Sequence, residues 1–303
     1  MKNQKKTGLW ALLPLALLVS RFAAAQVPVE NANANEERIQ SVDERLTTFE
    51  FDSSGITTPP PAAVPASRLS IKAFDDANII SRLIQTKETF RKGPAAGSRN
   101  ESSSPTWLLE KDAMTGSILV LKNKPPGVAL ILDETKLQKL SLDRLDAFGI
   151  PSAEVLRVLQ KKAMKQDVDD GRTPPAPVTH RFKTFVFRGI NGIPVIGHRA
   201  VVSYGVDGAF HRALVHWPAL ASTGHLLRTK LSPAEIEARA KSALAKEGER
   251  SGLVKLRWMY VPIPQRNGEV VLKLMVGAAM KGVTTEGVSE EPRVVSVELD
   301  PTG

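Results

Sequence analysis

The chain runs to 303 residues without one cysteine, which excludes disulfide scaffolds, thiolate metal sites and cysteine nucleophiles. Its formal net charge of +9 favours anionic partners, but no nucleic-acid-binding motif accompanies that charge, so no nucleic acid is expected. Stability has to come from packing, and the length suits one large domain or two small ones.

The first residues read as an export signal. Lys2, Lys5 and Lys6 precede an apolar run from Leu9 to Val19, and Ala23 with Ala25 supplies an A-x-A cleavage pattern. Residues 1–25 are therefore expected to be removed, leaving an exported protein, periplasmic or secreted, with no stable membrane anchor. Residues 26–66 read as a disordered, Pro-rich linker: a polar NANAN stretch is followed by Pro59, Pro60, Pro61 and Pro65 among small residues. Residues 67–150 form an N-terminal α+β region. Ile79, Ile80, Leu83 and Ile84 have helical spacing, Trp107–Lys122 reads as a hairpin, and Leu137–Phe148 reads as a helix stopped by Gly149 and Pro151.

The remainder divides into two units, 151–220 and 221–303. In the first, Ser152 predicts the cap of a helix with Val155, Leu156, Val158 and Leu159 as its apolar stripe and Lys161, Lys162 and Lys165 in its last turns. Strands at about 180–188, 193–204 and 209–217 follow. In the second, Ser232, Pro233 and Glu235 compose a capping box for a helix reaching Lys246. Strands at about 253–262, 269–277 and 293–299 come next, with Asn267-Gly268 as a hairpin turn. The expected fold is α+β: two consecutive units, each a helix with a three-stranded antiparallel sheet.

The segment Asn191-Gly192-Ile193-Pro194-Val195, with Gly197, Val201-Val202-Ser203 and Asp207-Gly208, resembles the propeptide region of thermolysin-type proteases. Leu231–Glu247 resembles the helix that opens the PepSY domain beside that region. The resemblance spans roughly 175–300 and implies a cystatin-like or PepSY-like arrangement. It also implies a role as inhibitor or folding aid of a protease. The chain departs from the family in having no H-E-x-x-H, so no protease is present for it to guard. No G-x-S-x-G elbow or phosphate-binding loop occurs either. The function expected is that of an exported, non-enzymatic binding protein. Its partner would be another exported protein, with a secreted protease one candidate; the alternative is a module binding cell-envelope polymer or metal.

All five histidines, His180, His198, His211, His216 and His225, fall in one stretch. A two-residue loop at Val206-Asp207 would place His198 opposite Val215, with no two imidazoles meeting. A three-residue loop with Gly208 at a left-handed bulge would set His198 directly against His216, a pair able to share Zn²⁺ or Cu²⁺. Two ligands do not close a site, so no cofactor is expected and packed or exposed structural histidines are the favoured account. Trp217 with Arg181, Lys183, Arg188, Arg199 and Arg212 admits a glycan- or polyanion-binding sheet, although core packing is the expectation for Trp217.

Overall fold

The computed structural model describes residues 48–57, 65–70, 75–123, 127, 128, 130, 132–166, 176–226, 231–249, 251–265, 269–280 and 293–298. The expected leader with its cleavage site and the expected Asn267-Gly268 turn lie outside them. Contacts divide the chain into Met1–Arg45 and Leu46–Gly303, and every described residue belongs to the second unit.

Strands β1 (Thr48–Gly55) and β2 (Pro65–Ser70) precede a short helix α1 (Asp76–Asn78), which runs on as a wider π-helical turn over Ile79–Ile84. Next come β3 (Arg91–Lys92), β4 (Arg99–Ser103), β5 (Trp107–Asp112), β6 (Ser117–Lys122) and helix α2 (Glu134–Phe148). A single 3₁₀ turn, Ser152–Glu154, leads into β7 (Val155–Lys165), β8 (Val178–Ile190), β9 (Ile193–Gly205), β10 (Phe210–His216) and β11 (Ala219–Leu226). Helix α3 (Pro233–Lys246) is followed by β12 (Ser251–Pro264), β13 (Val270–Met280) and β14 (Arg293–Glu298).

The strands join into one mixed sheet of order β11-β2-β13-β12-β9-β10-β6-β5-β4-β3, with β1 on β12, β14 on β13, and β7 on β8, which in turn pairs with β9. This overturns the expected α+β fold of two helix-plus-three-strand units: the protein is mostly β. Two local facts produce the difference. The segment after Ser152 is a strand, not a helix. Among the described residues β7 pairs only with β8, and register shifts at Val155/Arg157 and Ala163/Met164 break its alternation, so its apolar residues fall at spacings that imitate a helical stripe. Its lysines blunt an exposed sheet edge and do not cap a helix. Strands from outside the two units also complete the sheet. β6 pairs with β10, Leu121 facing Arg212, and β1, from within the stretch read as linker, lies parallel to β12.

Both long helices form for reasons visible in their ends. The Asp133 carboxylate accepts the backbone N–H groups of Thr135 (2.9 Å) and Lys136 (3.3 Å), and Gly149, at φ 103°, closes α2 in the left-handed conformation that glycine alone adopts freely. Ser232 and Glu235 form the expected capping box on α3. Helix α2 buries Leu137, Leu145 and Phe148 against β5, β6 and β8–β10, while α3 buries Ile236, Ala240 and Leu244 against β12 and β13. Each fully buried aliphatic side chain contributes about 1.5–3 kcal/mol. Two cores thus lie along one sheet, which stays continuous where Tyr260 of β12 pairs in parallel with Val195 of β9.

Candidate functional site

Arg188 is the largest fully buried polar side chain, at 2% exposure. It projects from β8 onto the face that α2 covers, and it is satisfied on every side. The Glu154 carboxylate accepts its Nε at 2.8 Å and lies 2.7 Å from its Nη2. Its Nη1 donates to the Pro218 carbonyl (2.7 Å) and to His198 Nδ1 (3.2 Å). The guanidinium also stands over the Trp217 ring at 5.2 Å, and Trp217 Nε1 donates to the same Glu154 oxygen at 2.8 Å. Burial lowers the Arg188 pKa, and the charge of Glu154 opposes that shift. Trp217, expected as a core residue, is 4% exposed and sits within this network.

His198 and His216 do meet, their ring centroids 4.7 Å apart and their planes perpendicular, but through neither expected register. At its tip the β9–β10 hairpin follows the three-residue pattern. Gly208 has φ 74°, the Gly205 N–H donates to the Ala209 carbonyl at 2.9 Å, and Tyr204 faces Phe210. His211 is then an extra residue in β10, so Arg199, not His198, faces His216. His198, Ala200 and Val202 alternate along β9 beyond Gly197 (φ 79°), so His198 lies on the covered face with them.

Arginine has no acceptor, so the bond from Arg188 makes His198 Nδ1 the unprotonated nitrogen and places the proton on Nε2. Nε2 is buried without a hydrogen-bond partner. Ligation of a metal through Nε2 would require the proton on Nδ1, against a guanidinium donor. The pair is therefore better suited to packing than to holding a cation. Burial lowers the His198 pKa to about 3, with the charges of His216 and Arg188 adding to the effect. Burial also lowers the pKa of His216, whose Nδ1 lies 2.9 Å from Ser117 Oγ. His211, 6% exposed, is lowered to about 4 by burial and then by Arg181. His180 stands in β8, and His225 belongs to β11, its side chain outside the described residues.

A cleft of about 530 Å³ opens elsewhere, where β12 changes partners. Along one edge of β12, β1 pairs as far as Arg257 (opposite Gly55), and β9 takes over at Tyr260. The cleft occupies the notch between them. Its walls are Leu156, Ile193, Pro194 and Trp258, with Arg157 and Arg257 as the charged groups. Arg157 is held over the Phe187 ring at 4.6 Å, which keeps its guanidinium beside the opening. Gly55 allows the close approach, since a Cβ there would come within 2.5 Å of the Leu256 carbonyl. Nothing in the sequence marked this notch, because it is made by the ends of strands far apart in the chain. At the Asn191-Gly192 turn both residues have positive φ (51° and 79°), and they bring Ile193 and Pro194 to the cleft.

No protein-family model matches the chain, and no curated protein matches it. Among solved structures, an uncharacterized protein from Eubacterium rectale aligns over 86% of this chain and 94% of its own, at 11% identity and a TM-score of 0.43. The Bacillus megaterium YpeB C-terminal domain aligns over 72% of this chain and 95% of its own, at 11% identity and a TM-score of 0.35. Both TM-scores fall below 0.5, so neither likeness bears on what the chain does.

Proposed function

We propose that the chain is an exported, non-enzymatic binding protein that grips a segment of another exported protein, acting as an inhibitor or folding aid in the manner of a detached protease propeptide. The observation that carries this reading is the notch on β12. The step between two successive parallel partners spans only Trp258 and Met259, so it suits the end of an extended chain rather than a full strand, and contact there asks little of side-chain identity. The apolar walls and two arginines of the cleft add a place for one side chain and one carboxylate of that segment. The motifs at 191–208 and 231–247 and the export signal agree with this assignment, and a secreted protease is the partner proposed.

The test is a crosslinked pull-down from the source's envelope and culture medium with the tagged protein, followed by an inhibition assay on the protease recovered. Recovery of one protease in stoichiometric amount, inhibited in a dose-dependent way and at least tenfold less by Arg157→Glu/Arg257→Glu, is expected. Recovery of wall polymer alone, or of no protein partner, would move the assignment to an envelope-binding module.

A further inference from the structure

Strands β7 to β10 contain no aspartate or glutamate, yet they carry Arg157, Lys161, Arg181, Lys183, Arg199 and Arg212 among their cations. One face of these strands is covered: Ser141 of α2 donates to Thr184 at 2.8 Å, and Val186, Ala200, Val202, Ala213 and Val215 lie in the core beneath the helix. The opposite face carries no helix among the described residues, and its side chains fall in three rows fixed by the pairing register. The middle row is apolar across five strands: Leu159 faces Phe185, which faces Val201, then Leu214, then Leu119 of β6. On one side of it run Lys161, Lys183, Ser203 and Arg212; on the other run Arg157, Phe187 and Arg199. A small depression of about 170 Å³ sits among Arg181, Lys183, Phe185, Val201 and Arg212.

Among the described residues no carboxylate pairs with Lys161, Arg181, Lys183, Arg199 or Arg212. The carboxylates that the β5–β6 register places on this face among the described residues, Glu110 and Asp112, stand in β5, beyond β6. Lys161 directly faces Lys183, an arrangement that costs stability. Burial, and after it the charge of Arg212, lowers the Arg181 pKa, and Arg181 Nε is buried without a partner. A fold that tolerates such repulsion around an apolar stripe is complementary to an apolar stripe flanked by acids.

Dimensions select the shape of that complement. Five strands at about 4.8 Å spacing make the stripe roughly 19 Å long, the length of about 13 helical residues. The flanking rows are about 13 Å apart, close to the 10–12 Å width of a helix with its side chains. We propose that this face docks an acidic amphipathic α-helix of the partner protein, its apolar stripe along Phe185, Val201 and Leu214 and its carboxylates against Lys183 and Arg212 on one side and Arg157 and Arg199 on the other. The proposal rests on the binding-protein reading above and names the chemistry of the partner. A lipid surface would be too flat for a twisted sheet, and a hydrophilic polyanion would leave the stripe unused.

The probe is a fluorescein-labelled 14-residue synthetic peptide with leucines on one helical stripe and glutamates on both flanks, titrated against the full chain by fluorescence anisotropy. Saturable binding is expected, weakened at least tenfold by Lys183→Glu/Arg212→Glu and equally by replacing the peptide's glutamates with glutamine. Lys183→Gln/Arg212→Gln serves if the reversed variant does not give a wild-type melt. Unchanged affinity in the variant overturns the proposal, as does binding of phosphatidylglycerol vesicles in place of the peptide. The pull-down separates the two levels. A partner captured equally by wild type and by the charge-reversed chain sinks this face alone, whereas no partner for either sinks the reading beneath it.

Discussion

Replacing Glu154 by glutamine tests the buried network most directly. The substitution keeps size and an acceptor for Trp217 but removes the charge that faces Arg188, a guanidinium only 2% exposed. Breaking one partner of a buried pair costs about 3–5 kcal/mol, because the surviving charge stays desolvated. The Glu154 side chain is 26% exposed, so water can reach that side, and the lower end, about 3 kcal/mol, is expected. At about 2–4 °C per kcal/mol, that is a fall in Tm of roughly 6–12 °C. Urea unfolding followed by tryptophan fluorescence reads it, Trp217 being part of the network. The pairwise share comes from a double-mutant cycle with Arg188→Met, which should show at least about 2 kcal/mol of coupling. A loss below about 1 kcal/mol, or simple additivity of the two changes, would refute the account.

Three further outcomes follow from the same geometry. His198 and His211 have folded-state pKa values of about 3 and about 4, below the ordinary 6.5, so their stabilisation is present above pH 6.5 and is lost as pH falls towards those values. Each contributes up to about 1.4 kcal/mol per pH unit in that window. Urea midpoints between pH 7 and 4 should drop steeply and less so in His198→Gln; a flat profile would sink the argument. Ser232→Ala removes the α3 cap and should cost about 1 kcal/mol, with the loss of helix measured by circular dichroism; no change would mean that tertiary packing alone holds that end. A Cβ at Gly189 would lie 2.8 Å from Leu156 Cβ, so Gly189→Ala should destabilise by about 1–3 kcal/mol and be relieved by Leu156→Gly. If the second change gives no relief in thermal melts, the crowding is not the cause.

Where structure is set by neighbours a few residues apart, the sequence alone was sufficient. The capping box at Ser232 and Glu235, the stop at Gly149 and the β8–β10 run are local, since caps, φ preferences and alternation act within one or two turns of chain. Only the tertiary structure decided that Val155–Lys165 is an edge strand, because its two bulges disguise the period of two as a helical stripe. Pairings such as Leu121 with Arg212 or Gly55 with Arg257 depend on segments far apart in the chain, and no local rule selects them. The histidine pair shows both limits. Residue types and the Gly208 turn pointed to His198 and His216, but the irregularity at His211 set the register in which the rings meet beside Arg188. A one-residue bulge moves a side chain to the other face of a sheet, and its free energy is settled by what packs there, which the chain reveals only once folded.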